Sequence, residues 1–419
     1  MSCARSFWFV FLLVGVMFSK ESDPTEIVSP KEVIPNTLFG LHIHHAPYLT
    51  PWPNTVVPTW RLWDAGVRWP DLEPTKDHWR FDTLDRYVAL AEQHNTQVLL
   101  PLALTPTWAS ARPTAASGSQ KAGFTAEAKD PSDWQTYVRL IASRYKGRIA
   151  GYEIWNEPNN KEFWTGNTEH LVTMTKEAHD IIKSIDPEAI IVSPSSAAES
   201  GLSWLADFLS KGGGNYVDAI GYHFYVYPQP PETISHLVES VRRLLRENGV
   251  ANKPIWATEL GWAKPKPFPS DELAAGYLAR SFIVSWAAGV KRVYWYAWDN
   301  HSWVSIETTE ADSKTLTPAG RAYGAIQGWM VGASMDGCDK SDDNTWTCHL
   351  HRRNDSEWIV WNADATKSFS IPAAWHISHI TFLLRGTQEV HDSSIEGLTV
   401  PELLSSVPTR SPVPPNSLK

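Results

Sequence analysis

Between residues 38 and 330 eight short apolar runs alternate with seven stretches of helical period, the first two runs following one another directly. Such alternation builds parallel sheets, because each crossover returns the chain to the same end of the next strand. The apolar runs predict strands over 38–44, 59–63, 97–102, 149–156, 189–193, 217–223, 255–259 and 293–298. Helices are expected over 81–94, 134–145, 170–185, 204–209, 234–248, 271–288 and 318–330. In the first of these, Leu84, Tyr87, Val88 and Ala91 recur on one face. Eight strands over about 290 residues suit a (β/α)8 barrel. An open doubly wound sheet would carry a glycine-rich turn after its first strand, and this chain has His44-His45-Ala46-Pro47 there.

Outside that region the pattern changes. Residues 1–19 read as a secretory signal: Arg5 precedes an apolar run of 12 residues, 7–18, which is too short to span a bilayer. Residues 20–35 read as a polar linker and 36–331 as the barrel. Residues 332–407 hold short strands with no helices between them, the mark of a small accessory β-sandwich-like domain. Residues 408–419, rich in Pro and Ser, are expected to be a disordered tail. Cys338 and Cys348 flank a polar turn, so a hairpin would bring them within disulfide reach, as suits an exported chain; two free thiols are the alternative. Asn300-His-Ser and Asn354-Asp-Ser are formal glycosylation sequons. The formal charge of −9 argues against a nucleic-acid partner, and after the first run no stretch is long and apolar enough to cross a membrane.

Two of the runs end on a glutamate. Y-E-I-W-N-E-P-N-N at 152–160 closes on Glu157, where Pro158 stops the strand, and I-W-A-T-E-L-G-W at 255–262 closes on Glu259. In a barrel both would open at the C-terminal mouth, where the chemistry of such folds is kept. Paired carboxylates at one opening are what glycosidic cleavage requires: one protonates the departing oxygen, the other attacks the anomeric carbon or activates water. The apolar Trp155 beside Glu157 would raise its pKa, as a general acid needs. Glu259, as nucleophile, would be kept ionised by Arg61, with the Tyr225 hydroxyl donating to the same carboxylate. Asn156 would bond a sugar hydroxyl, His223 would orient the network or contact substrate, and Trp298 would floor the site. His42 and His44 alternate on a strand as metal ligands do, but no third ligand accompanies them, and His44 is read as a contact to a sugar hydroxyl. The 22 tryptophans suit both core packing and stacking on sugars; Trp108, Trp164, Trp262 and Trp303 are the loop candidates for stacking.

I-W-N-E-P-N, then I-G-Y-H-F-Y at 220–225, then A-T-E-L-G-W resemble glycoside hydrolase clan A, and within it family 39 with its exopolysaccharide-hydrolase and xylosidase-like relatives. Arg61-Leu-Trp63-Asp64 and Tyr294-Trp-Tyr-Ala-Trp298 fit the same pattern. The resemblance implies a retaining mechanism without cofactor or metal, with Glu157 as acid/base and Glu259 as nucleophile. The expected partner is a polysaccharide or oligosaccharide cleaved endo. The alternatives are an exo-acting xylosidase or uronidase, for which Lys264 and Lys266 would face a sugar carboxylate, and a carbohydrate-binding barrel without catalysis.

Overall fold

The computed structural model of the chain describes residues 26–407 except 117, 354, 365 and 366. The expected signal segment, the first part of the expected linker, the C-terminal tail and the Asn354 sequon therefore lie outside the described residues.

Eight parallel strands form the barrel wall: Phe39–Leu41, Thr59–Arg61, Gln97–Leu102, Gly151–Ile154, Ile190–Val192, Ile220–His223, Ile255–Leu260 and Val290–Trp295. Each pairs with its neighbours in chain order, and the eighth pairs with the first. Closure between the fifth and sixth comes from a parallel bridge, Val192 to Ala219, and from Ser196–Ala197, which prolongs the fifth strand against Tyr222 and His223. The strands are buried on both faces, which is why they read as unbroken apolar runs. Leu99, Val192, Ala219, Trp256 and Tyr294 form an apolar cluster distinct from the core shared with the helices.

The expected elements are all present, with differences at their ends. Five strands are shorter than the apolar runs: the first stops at Leu41 and the fourth at Ile154, for example, since residues beyond them turn into the site. The eighth lies three residues earlier than expected, so Tyr296 and Trp298 fall in the loop that follows it. The helix expected over 204–209 spans Gly201–Ser210.

The helix Asp271–Ala287 is buried on nearly every side. Its sequence is apolar all round, as suits a helix covered from both directions. The barrel wall lies on one side. On the other is the accessory sheet, close enough that a Cβ on Gly276 would meet Val400 at 2.9 Å. That sheet has seven strands, among them Ser334–Lys340, Thr345–Arg352, Asp355–Asn362 and Glu402–Ser405. One face, with Trp346, Cys348, Leu350, Ile359, Trp361 and Leu403, is continuous with the barrel core. The other, with Val360, Ile380 and Leu404, is covered by the two-stranded pair Phe369–Ser370 and Ser394–Ile395. At the junction the Trp361 indole donates to Glu232 Oε1 at 2.7 Å, and the buried Arg280 guanidinium lies 3.3 Å from the same oxygen.

Cys338 and Cys348 are register partners in the hairpin and form a disulfide. One expectation fails: residues 20–35 are not simply a linker. Glu26–Val28 is the edge strand of the accessory sheet, pairing antiparallel with Ser334–Lys340 and placing Ile27 opposite Cys338. Three residues with one inward side chain leave no periodic signal; the partner hundreds of residues away makes them a strand.

Candidate active site

The charged centre starts from Arg61, the last residue of the second strand, which is fully buried inside the barrel. Burying a guanidinium is tolerable only if its donors are met, and three acceptors meet it. Nε donates to Glu153 at 2.5 Å, one Nη to Glu259 Oε1 at 2.6 Å, the other to Asn156 Oδ1 at 2.7 Å. Burial alone would lower the Arg61 pKa, but Glu153 and Glu259 outweigh it and raise it further above its ordinary value. Glu153 is satisfied in turn by the Ser195 hydroxyl, and Thr258 Oγ1 donates to Ser195 Oγ at 2.8 Å.

Two departures from regular backbone bring the side chains inward. Alternation from Glu153 would aim Trp155 into the barrel and Asn156 away from it. Instead Trp155 takes φ 75° and packs outward on Trp164, its indole donating to the Phe163 carbonyl, and Asn156 turns in to Arg61. Glu157 follows at φ 42°. Non-glycine residues in this region cost on the order of 1–3 kcal/mol each, and such strain gathers at functional sites. In the seventh strand Ala257 and Leu260 oppose Val293 and Trp295, while Ala257 and Glu259 oppose Tyr222 and His223. One extra residue is thus accommodated as a bulge, and consecutive Thr258 and Glu259 both reach the interior network.

Glu157 and Glu259 meet there. With His223, each contributes one atom to a trio lying within 4.8 Å of one another. His223, ending the sixth strand, sets Nδ1 2.9 Å from Glu157 Oε1 and 3.4 Å from Glu259 Oε2. Both oxygens are acceptors when ionised, so Nδ1 carries the proton. Tyr225 donates its hydroxyl to Glu259 Oε2 at 2.9 Å. Burial, then Glu259, push the Tyr225 pKa far up, so it stays a donor.

The electrostatics correct the expectation of a raised Glu157. Burial acts to raise it, but the bond and charge of His223 outweigh this and hold its carboxyl below the usual range. Burial pushes Glu259 up, against the opposing pull of His223 and Arg61. The nearer imidazole favours charge on Glu157.

The remaining predicted residues are hydrogen-bonded to neither glutamate. His44 is buried; its backbone N–H and that of His45 donate to Asp299, and its ring lies 5.2 Å from Tyr296. Burial lowers its pKa. His42 sets Nε2 3.0 Å from the Thr258 carbonyl and joins no metal-ligating group among the described residues. Trp298 is buried, bonds the His42 carbonyl through its backbone N–H, and lines a small cavity with Trp52 and Lys314. Tyr296 instead stands near the reacting groups, donating to Asp64 at 2.6 Å and meeting Trp303 edge-on at 5.3 Å. Of the four loop tryptophans, Trp164 and Trp262 are buried and Trp108 is half-buried, whereas Trp303 is 47% exposed. Trp303 also meets Tyr225 at 5.9 Å, and beyond it a cavity of about 450 Å³ is lined by Tyr227 and residues 263–266. Lys266 is taken up by the carbonyls of His301 and Val304; Lys264 is exposed on the cavity wall.

Sequence reasoning missed Glu153, Ser195 and Thr258. Glu153 left one trace, a charged residue inside an otherwise apolar run. Nothing local marks Ser195 and Thr258, which matter only because the barrel brings them to Glu153.

A closed (β/α)8 barrel with two carboxylates meeting at the C-terminal ends of its strands suits a glycoside hydrolase. The chain belongs to glycosyl hydrolases family 39, whose model matches residues 65–298. It is 33% identical over 113 residues to a β-xylosidase of Caldicellulosiruptor saccharolyticus, covering 26% of this chain and 23% of that protein. It is 25% identical over 197 residues to a β-xylosidase of Geobacillus stearothermophilus, covering 39% of each. The aligned stretches thus span well under half of those relatives. A family 39 glycoside hydrolase from the gut symbiont Bacteroides cellulosilyticus WH2 shares the fold, with a TM-score of 0.71 at 15% identity, over 89% of this chain and 82% of that one.

Proposed function

We propose that this chain is a retaining β-glycosidase that cleaves a polysaccharide internally by double displacement. The observation that carries the reading is the approach of Glu157 and Glu259 at one opening, with ligand atoms within 4.8 Å. Retaining enzymes hold their carboxyl groups about 5–5.5 Å apart and inverting ones hold them wider, to admit a water. Glu259 attacks the anomeric carbon while Arg61 and Tyr225, both donors to it, keep it ionised. Glu157 protonates the leaving oxygen and later deprotonates the incoming water. It must first carry a proton. Bound sugar excludes water and competes for His223, and both effects push Glu157 up while Glu259 retains its donors.

The cavity of about 450 Å³ beyond Trp303 supports internal cleavage, since it offers room for sugar past the reacting one. The names of the two β-xylosidases favour a second reading, exo-cleavage of xylosides. Time-resolved proton NMR on a β-linked substrate should show the β-anomer released first; the α-anomer first would overturn the mechanism. Mass analysis of digests of xylan and other β-linked polysaccharides should show a ladder of oligosaccharides, whereas a single monosaccharide would establish the exo reading.

We also place the enzyme outside the cell. The apolar run at 7–18 and the Cys338–Cys348 disulfide support this. In a secreting host, protein recovered from the medium should lack roughly its first 19 residues; retention in the cytosol with an intact N-terminus would refute it.

A further inference from the structure

On the accessory sheet, far in sequence from the glutamates, a second group of ligating side chains converges. Asp336, His349 and His351 each bring one atom within 4.8 Å of the others. His349 and His351 alternate along Thr345–Arg352 and so share a face. Asp336 joins them through a bulge: Met335 opposes Leu350 and Gly337 opposes His349, leaving Asp336 unpaired between them. The same extra residue lets Met335 and Cys338, three apart, both point into the core. The result is a disulfide on the inner face of the hairpin and the two imidazoles with one carboxylate on the other.

Both imidazoles meet the carboxylate. His351 Nε2 lies 2.7 Å and His349 Nδ1 3.0 Å from the same oxygen, Asp336 Oδ2. The two rings approach with centroids 4.2 Å apart at 62°. His349 is held in place by stacking on Trp358, its register partner, at 5.0 Å and 10°, and Trp358 stacks on Trp375 at 4.6 Å. Ligand rings fixed by packing are what a metal site needs to keep its geometry. All three side chains are partly exposed, between 32% and 58%, so an ion has a path from solvent.

We propose that Asp336, His349 and His351 form a binding site for a divalent transition-metal ion, best matched by Zn2+. Two imidazole nitrogens and a carboxylate oxygen suit zinc, copper and nickel and disfavour magnesium and calcium, which prefer all-oxygen shells. Three protein ligands leave a fourth position to water. The ion clamps the strands Ser334–Lys340 and Thr345–Arg352 on the face opposite the disulfide. No step of the glycosidase reaction passes through it.

The test uses the full chain with its disulfide intact, stripped with chelator and titrated with Co2+ and then Zn2+. One Co2+ per chain should bind with visible d–d absorption, and Zn2+ should displace it. Zn2+ should also raise the melting temperature. His349→Ala/His351→Ala should abolish absorption and melting shift without changing hydrolysis, and Asp336→Asn should weaken binding by about 100-fold or more, since losing even an indirect partner of a metal costs about 10- to 100-fold. Glu157→Gln, which alters the other cluster of ligating groups, should bind as the parent does. Undiminished binding in the double variant, binding lost in Glu157→Gln, or no stoichiometric binding at all would each overturn the proposal. Should the double variant fail to fold, Asp336→Asn alone decides it: unchanged affinity there is fatal.

Discussion

Glu259→Ala is expected to lower turnover of a β-glycoside by about four orders of magnitude or more, because no covalent intermediate can form. The fold should survive, since Arg61 keeps Glu153 and Asn156 as partners. Adding azide separates the two glutamates. In Glu259→Ala the small anion fits where the nucleophile was and attacks directly, giving an α-glycosyl azide from a β-substrate. In Glu157→Ala an activated substrate still forms the glycosyl-enzyme on Glu259; azide then attacks in place of water, giving the β-azide. Exchange of the two outcomes would reverse the assigned roles. The test is discriminating because His223 holds Glu157 below its usual pKa while burial raises Glu259.

Arg61→Met should damage stability and catalysis together. It removes three charge-assisted bonds at once and leaves Glu153 fully buried without its cation. Breaking a buried pair from one side costs about 3–5 kcal/mol, and activity should fall to background because Glu259 loses a donor that keeps it ionised. Arg61→Lys separates charge from geometry. A single ammonium cannot span three acceptors, so most of the stability should return while kcat remains roughly 100-fold down. Urea unfolding and steady-state kinetics on the same preparations read both effects. Full activity in Arg61→Met would show that Glu259 does not need this partner.

The barrel was legible because its strands are buried on both faces, so each appears as an apolar run that local composition alone reveals. The helix Asp271–Ala287 was legible for a related reason, its apolar residues running on every side. Glu157 and Glu259 stood out as carboxylates ending such runs. The edge strand Glu26–Val28 was hidden, because an edge pairing is written in the partner and not in the three residues themselves. The sequence run 293–298 suggests that the eighth strand reaches Trp298. The strand stops at Trp295, so Tyr296 reaches Asp64 and Trp298 is buried in the loop that follows.

By itself the sequence determined the order of strands and helices, the presence of an accessory sheet, and which two acids end on the same side of a parallel barrel. These follow from periodicity and burial, which act over a few residues at a time. Tertiary structure decided where those acids point and what charge they carry. Alternation would have turned Asn156 away from the barrel and set Thr258 and Glu259 on opposite faces; the left-handed Trp155 and the bulge in the seventh strand reversed both. The proton balance is set by burial and by His223, on a third strand, which bonds Glu157 at 2.9 Å and stands 3.4 Å from Glu259. No local pattern encodes such a difference, because it is settled only when the barrel closes.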